Sequence, residues 1–107
     1  MMSPFIIERT QRGDRELILA VKGELDLVTA PVLDDELTRA EASDAPAIVV
    51  DLAQLDFIDS SGLRVLLRHA SSDQRVRVTR GSPQVQRILE ISGVLDYLRF
   101  APEPRPD

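Results

Sequence analysis

The apolar positions change period several times along the chain, and each change marks an element. Residues 5–8 form a short apolar run, Gln11-Arg12-Gly13-Asp14 supplies turn residues, and residues 17–21 are continuously apolar. This predicts a hairpin whose second strand lies inside a sheet. Gly23-Glu24-Leu25-Asp26 leaves that strand, and Thr29 and Pro31 follow as N-cap and first-turn residue of a helix. Leu33, Leu37 and Ala40 recur at helical spacing, so the helix is predicted over residues 30–42, with Asp34, Asp35 and Glu36 near the positive end of its dipole. Ser43-Asp44-Ala45-Pro46 breaks it. Ala47-Ile48-Val49-Val50 is uninterrupted and rich in β-branched residues, the pattern of a strand covered on both faces, and is expected to be the central strand.

Residues 51–63 then form a loop that ends in capping residues. Leu63, Leu66, Leu67 and Ala70 stand at i, i+3, i+4 and i+7, which predicts a second helix starting near Ser60 and stopped at Ser71-Ser72-Asp73. Arg75-Val76-Arg77-Val78-Thr79 alternates like an edge strand with one wet face. Ser82 and Pro83 open a third helix with Val85, Ile88 and Leu89 inward, and Gly93 stops it with Val94 placed for the accompanying apolar contact. A last short strand is expected over residues 97–100. The tail 101–107, with prolines at 102, 104 and 106, is expected to be disordered. Alternating strands and helices imply one α/β domain over residues 1–100, a mixed sheet of four to five strands with about three helices packed on it.

Composition narrows the chemistry. The chain has 107 residues, no cysteine and one histidine, which removes disulfide frameworks, thiol nucleophiles and any site needing several histidines within the chain. No apolar run approaches the roughly 18 residues of a membrane span, and no leader pattern opens the chain, so a soluble cytoplasmic protein is expected. A formal charge of -5 has the wrong sign for phosphate neutralisation, which disfavours nucleic acid as a partner. The charge is uneven: residues 1–60 hold 13 acids and 5 bases, whereas residues 61–107 hold 5 acids and 8 bases. Folding is expected to mix these halves into one solvated surface.

Open α/β sheets place ligands and reacting groups beyond the carboxyl ends of their strands, which directs attention to Asp59, Ser60 and Ser61. All three suit a helix N-cap. One helix needs one cap, however, and gains nothing from Gly62 in its first turn unless something approaches the backbone there. A phosphate on a serine at this position would meet free N–H groups and the positive dipole end. A serine nucleophile with His69 as base is excluded by distance, since the two share a helix about 12 to 13 Å apart at 1.5 Å per residue. Asp51, Asp56 and Asp59 have the oxygen chemistry of a Mg²⁺ site but read more simply as caps and turn residues. His69 is expected at the surface.

Gly23-Glu24-Leu25-Asp26 with Thr29-Ala30, then Asp51-Leu52, Phe57-Ile58-Asp59-Ser60-Ser61-Gly62-Leu63 and Ile91-Ser92-Gly93-Val94, together resemble the STAS domain of bacterial anti-sigma factor antagonists, over residues 5–100. The resemblance implies a non-enzymatic partner-switching protein without cofactor or metal. Unphosphorylated, it binds an anti-sigma factor that is also a serine kinase. Phosphorylation of the serine after the aspartate, Ser60 here, releases it, and a PP2C-type phosphatase restores the binding form. Asp26 and Asp59 match the acidic positions flanking that serine, and Thr29, Ser61, Gly62, Leu63 and Arg64 complete the implied partner surface. Arg64 and Arg68 are either partner contacts or a solvated helix face. The stretch 63–75 is about one turn shorter than is usual in the family, which leaves the partner's identity open. The alternative within the same fold is an accessory subunit of a lipid-transport ABC system, which binds its ATPase without phosphorylation.

Overall fold

A computed structural model describes residues 4–101. Its order is β1 (Ile6–Arg12), β2 (Glu16–Leu25), α1 (Ala30–Glu41), β3 (Ala47–Asp51), β4 (Leu55–Ile58), α2 (Ser60–Ser72), β5 (Val76–Val78) and α3 (Pro83–Ile91), followed by a 3₁₀ turn at Leu95–Tyr97. The hairpin β1–β2 is antiparallel and closes through residues 13–15, where Gly13 takes a positive φ of 60°. Every other strand pairing is parallel and is reached by a helical crossover or a longer connection.

The sheet order is β1-β2-β3-β5, with β4 paired to the far end of β2. The hub is therefore β2, which pairs with three strands. The expected central strand, β3, is interior but has only β2 and β5 beside it. Register explains the core. Leu17, Ile48 and Val76 form one cross-strand row and Leu19, Val50 and Val78 the next, all buried. Onto these rows pack Leu33, Leu37 and Ala40 of α1, Leu66 and Ala70 of α2, and Val85 and Leu89 of α3. Each fully buried leucine or valine contributes roughly 1.5–3 kcal/mol.

Several expectations are corrected. The first interior strand does not end at Gly23 but continues to Leu25; Gly23 has φ 100° and sits where the β2–β4 register shifts. A Cβ there would lie 2.8 Å from the Pro4 carbonyl oxygen, so the position accepts only glycine without rearrangement. Residues 51–63 are not a plain loop, because β4 lies within them, inward at Leu55 and Ile58 and exposed at Asp56 and Phe57. The alternation expected over residues 75–79 holds only for Val76-Arg77-Val78. Thr79 is fully buried, its hydroxyl accepting the Leu52 N–H at 2.9 Å and lying 3.1 Å from Asp51 Oδ1. The last expected strand is replaced by the 3₁₀ turn and one parallel bridge from Phe100 to Val78. Ala101 extends that bridge, donating its N–H to the Val78 carbonyl at 2.8 Å, and the rest of the expected tail, from residue 102, lies outside the described residues.

The end of α3 follows expectation. Gly93 has φ 72°, its N–H reaches the Glu90 carbonyl and the Val94 N–H reaches Leu89, while Val94 is buried. At the end of α2 the Asp73 N–H reaches the His69 carbonyl at 3.0 Å, and the Ala70 carbonyl is met by a side chain, Arg99 donating to it at 2.7 and 3.0 Å. Arg75 donates to the carbonyls of Glu41, Ser43 and Ala45, which fastens the α1–β3 loop, and its hydrogen bonds hold the Asp73 carboxyl below the usual carboxylate range.

Candidate functional site

The parallel strands β2 and β4 end side by side, with Leu25 opposite Ile58 and the Asp59 N–H donating to the Leu25 carbonyl at 3.1 Å. Asp26 and Asp59 therefore follow neighbouring strand ends, and each organises the chain that leaves its strand. Asp26 Oδ1 accepts the N–H groups of Val28 and Thr29 at 3.0 and 3.1 Å. The Thr29 hydroxyl donates to the Glu24 carbonyl at 2.7 Å and accepts the Asp26 N–H at 2.9 Å. These bonds fix a tight loop whose tip, Leu27 and Val28, is 75% and 81% exposed. Thr29 is thus not the expected side-chain cap of α1. Its φ and ψ are already helical, and its hydroxyl points back to lock the loop.

Asp59 caps α2. Its backbone is extended, and Oδ1 accepts the N–H groups of Ser61 at 2.8 Å and Gly62 at 3.3 Å, while its carbonyl accepts the Leu63 N–H at 3.0 Å. The expected picture changes as a result. Of the three residues suited to the cap, Ser61 is itself capped, and the Ser61 and Gly62 N–H groups, expected to be open to a phosphate, are already occupied by Asp59. Ser60 is the first helical residue; it is exposed, and its hydroxyl makes no hydrogen bond among the described residues.

Gly62 does permit a close approach, but by the protein's own core. A Cβ there would lie 2.6 Å from Leu25 Cγ and 2.9 Å from Ile58 Cγ1. Leu63 is largely buried as well, with only its edge reaching the surface. Arg64 is exposed. With Ser60, Leu63, Leu67, Arg68, Ser92 and Val94 it lines an open groove of about 600 Å³ between α2 and the end of α3. A larger depression of about 860 Å³, sharing Leu67, Ser92 and Val94 and reaching Tyr97 and Arg99, continues it away from Ser60.

His69 is the residue that sequence reasoning placed wrongly. It is 5% exposed rather than at the surface, and its ring nitrogens bridge α2 to α1, Nε2 to Asp34 Oδ1 at 2.6 Å and Nδ1 to Glu41 Oε2 at 2.8 Å. The signal was present in the spacing, since position 69 follows Leu66 by three and Val65 by four, on the inward stripe. Arg68 also pairs with Asp34, at 2.8 Å. Hydrogen bonds from His69 and Arg68 hold the Asp34 carboxyl below the usual carboxylate range. His69 is thereby engaged far from Ser60, and the described residues hold no group of three or more His, Cys, Asp or Glu able to bind a metal ion. Of the three aspartates considered for Mg²⁺, Asp51 bonds Ala53 and Thr79 and Asp59 caps α2.

Comparison with known proteins matches residues 7–105 to the family model of the STAS domain. The chain belongs to the STAS domain family. It is 34% identical over 92 residues, 82% of this chain and 79% of the relative, to BtrV of Bordetella bronchiseptica, named as a candidate anti-sigma factor antagonist. An anti-sigma factor antagonist from Mycobacterium paratuberculosis superposes with a TM-score of 0.82 at 24% identity, over 98% of this chain and 92% of that one. The Bacillus cell-fate determinant SpoIIAA, an anti-sigma factor antagonist, is similar in both its unphosphorylated and phosphorylated forms. The TM-scores are 0.68 and 0.66 at 21% and 19% identity, covering 90% of this chain and 88% and 91% of those chains. These likenesses establish the mixed five-stranded STAS fold. Among the described residues no helix is long and apolar enough to cross a membrane.

Proposed function

We propose that this protein is an anti-sigma factor antagonist that works as a binding protein, by partner switching at Ser60. The observation that carries the reading is the Ser60 side chain: an exposed hydroxyl with no hydrogen bond in the fold, at the first residue of a rigidly capped helix, beside a locked loop with two exposed apolar residues. In the unmodified state a partner of the anti-sigma factor/serine kinase type packs on Leu27 and Val28 and meets the neutral hydroxyl. Asp26, Thr29 and Asp59 hold the backbone of that surface, and Gly62 and Leu63 seat it on the core. The kinase transfers the terminal phosphoryl of ATP to Ser60 Oγ, forming an O–P bond, breaking the β–γ anhydride bond and releasing ADP and the hydroxyl proton. A PP2C-type phosphatase then hydrolyses the ester with water, returning the hydroxyl and inorganic phosphate.

Phosphorylation adds about -1.5 to -2 charges beside Asp59, at a surface shaped for a neutral group, so the partner is lost through repulsion and desolvation while the fold remains. The sequence relative is named for anti-sigma antagonism and SpoIIAA exists in both phosphorylation states, which favours switching over an ABC-accessory role. Calorimetric titration against the cognate kinase with bound nucleotide tests the reading. Ser60→Asp should bind at least about tenfold more weakly than wild type, roughly 1.4 kcal/mol, and Ser60→Ala should bind normally and resist labelling. Equal affinities of the two variants, or undiminished labelling of Ser60→Ala, would overturn it, with thermal melts showing that both variants are folded.

A further inference from the structure

A phosphate at Ser60 meets a helix start whose next N–H groups are already taken. The Ser61, Gly62 and Leu63 N–H groups are held by Asp59, at 2.8, 3.3 and 3.0 Å, and Asp59 is itself an anion next in the chain. The three N–H groups that follow Ser60 are thus not free to meet the added charge, and a cationic side chain within reach would meet it. On a helix, residues i and i+4 are surface neighbours, and the residue four places after Ser60 is Arg64. Ser60 and Arg64 line the same groove. Arg64 is exposed and makes no ion pair or hydrogen bond among the described residues, whereas Arg68, the other cation of that groove, is paired with Asp34 at 2.8 Å. The guanidinium fork matches two phosphate oxygens at once, which an ammonium cannot do.

We infer that Arg64 is the internal receptor of the Ser60 phosphate. The inference rests on reading Ser60 as the modified residue. Phosphorylation closes a phosphoserine–arginine pair along the outer ridge of α2, so one event removes a neutral hydroxyl and withdraws a cation from the partner surface.

Phosphoserine incorporated at position 60 by genetic encoding makes the test independent of any kinase, with the second ionisation of the phosphate followed by ³¹P NMR. The midpoint in phosphorylated Arg64→Gln should lie above that of the phosphorylated wild type by about 0.3 pH unit or more, the size expected of an exposed i,i+4 pair. Arg64→Lys should recover part of the difference. Arg68→Gln should shift the midpoint less than Arg64→Gln does, and 0.5 M NaCl should shrink the Arg64 effect. Coincident midpoints for wild type and Arg64→Gln, or a larger effect from Arg68→Gln, would overturn the inference. A kinase that fails to label or bind Ser60 would instead count against the proposed function and leave the NMR result intact.

Discussion

Replacing Gly62 by alanine sets two effects against each other, and the structure decides the sign. Alanine in place of glycine inside a helix ordinarily stabilises by about 1 kcal/mol. Here the added Cβ would lie 2.6 and 2.8 Å from Leu25 Cγ and Cδ2 and 2.9 Å from Ile58 Cγ1, closer than real methyl contacts come. Neither neighbour can swing aside, since Leu25 is fully buried and Ile58 is 1% exposed. Relief requires α2 to lift from the sheet or Leu25 to shift, and overpacking of this kind costs about 1–3 kcal/mol. Gly62→Ala should therefore be destabilised, by up to about 2 kcal/mol, in urea unfolding followed by far-UV circular dichroism. A double-mutant cycle isolates the cause: in a Leu25→Ala background the same substitution should cost less than in wild type, because two of the three close contacts are gone and only that with Ile58 Cγ1 remains. If Gly62→Ala alone proved more stable than wild type, the packing account of this glycine would be refuted.

His69→Leu keeps most of the volume but removes both hydrogen bonds to carboxylates; with Asp34 partly solvated and still paired to Arg68, the expected loss is about 1–3 kcal/mol by chemical denaturation, and unchanged stability would refute a net contribution. The folded Asp34 carboxyl titrates below its ordinary 3.8, so it contributes stability that is complete above that value and lost as pH falls through the lowered one; the leucine variant should lose less on such acidification. Val49→Ala, at a residue 1% exposed, should cost about 1–3 kcal/mol. Arg77→Ala, on the exposed position of β5, should stay within about 0.5 kcal/mol of wild type, and the reverse order would overturn the strand assignment.

The elements legible in the sequence are those whose signals are local. The Leu63, Leu66, Leu67 and Ala70 spacing gives α2, and Gly93 with Val94 gives the end of α3, because periodicity and αL geometry are written within a few residues. β4 was missed because its inward residues, Leu55 and Ile58, are three apart and match no strand period. It exists through pairing with Gly23, Glu24 and Leu25, a partner about thirty residues upstream. His69 differs: its spacing after Val65 and Leu66 puts it on the inward stripe of α2, but the carboxylates that satisfy its buried ring lie 35 and 28 residues away, on α1. The candidate site was legible as a location but not as a division of roles: three oxygens compete to cap α2, and only the extended backbone of Asp59 selects one.

That division bears on how the switch can act without remodelling the fold. The carboxylates of Asp26 and Asp59 and the Thr29 hydroxyl are all occupied by backbone groups, so the loop and the start of α2 are held whether or not a partner is present. Ser60, Arg64, Leu27 and Val28 carry no such duty and are exposed. A charge added at Ser60 therefore displaces no hydrogen bond of the folded chain, and its free-energy change falls on whatever touches the surface. The aspartate substitution reproduces this only partly. It supplies one negative charge on a shorter side chain, against the nearly two of a phosphate, and so engages Arg64 less fully. If Arg64 is withdrawn by the phosphate, phosphorylated protein should release its partner more completely than Ser60→Asp does, and the gap between them should close once Arg64 is replaced by glutamine.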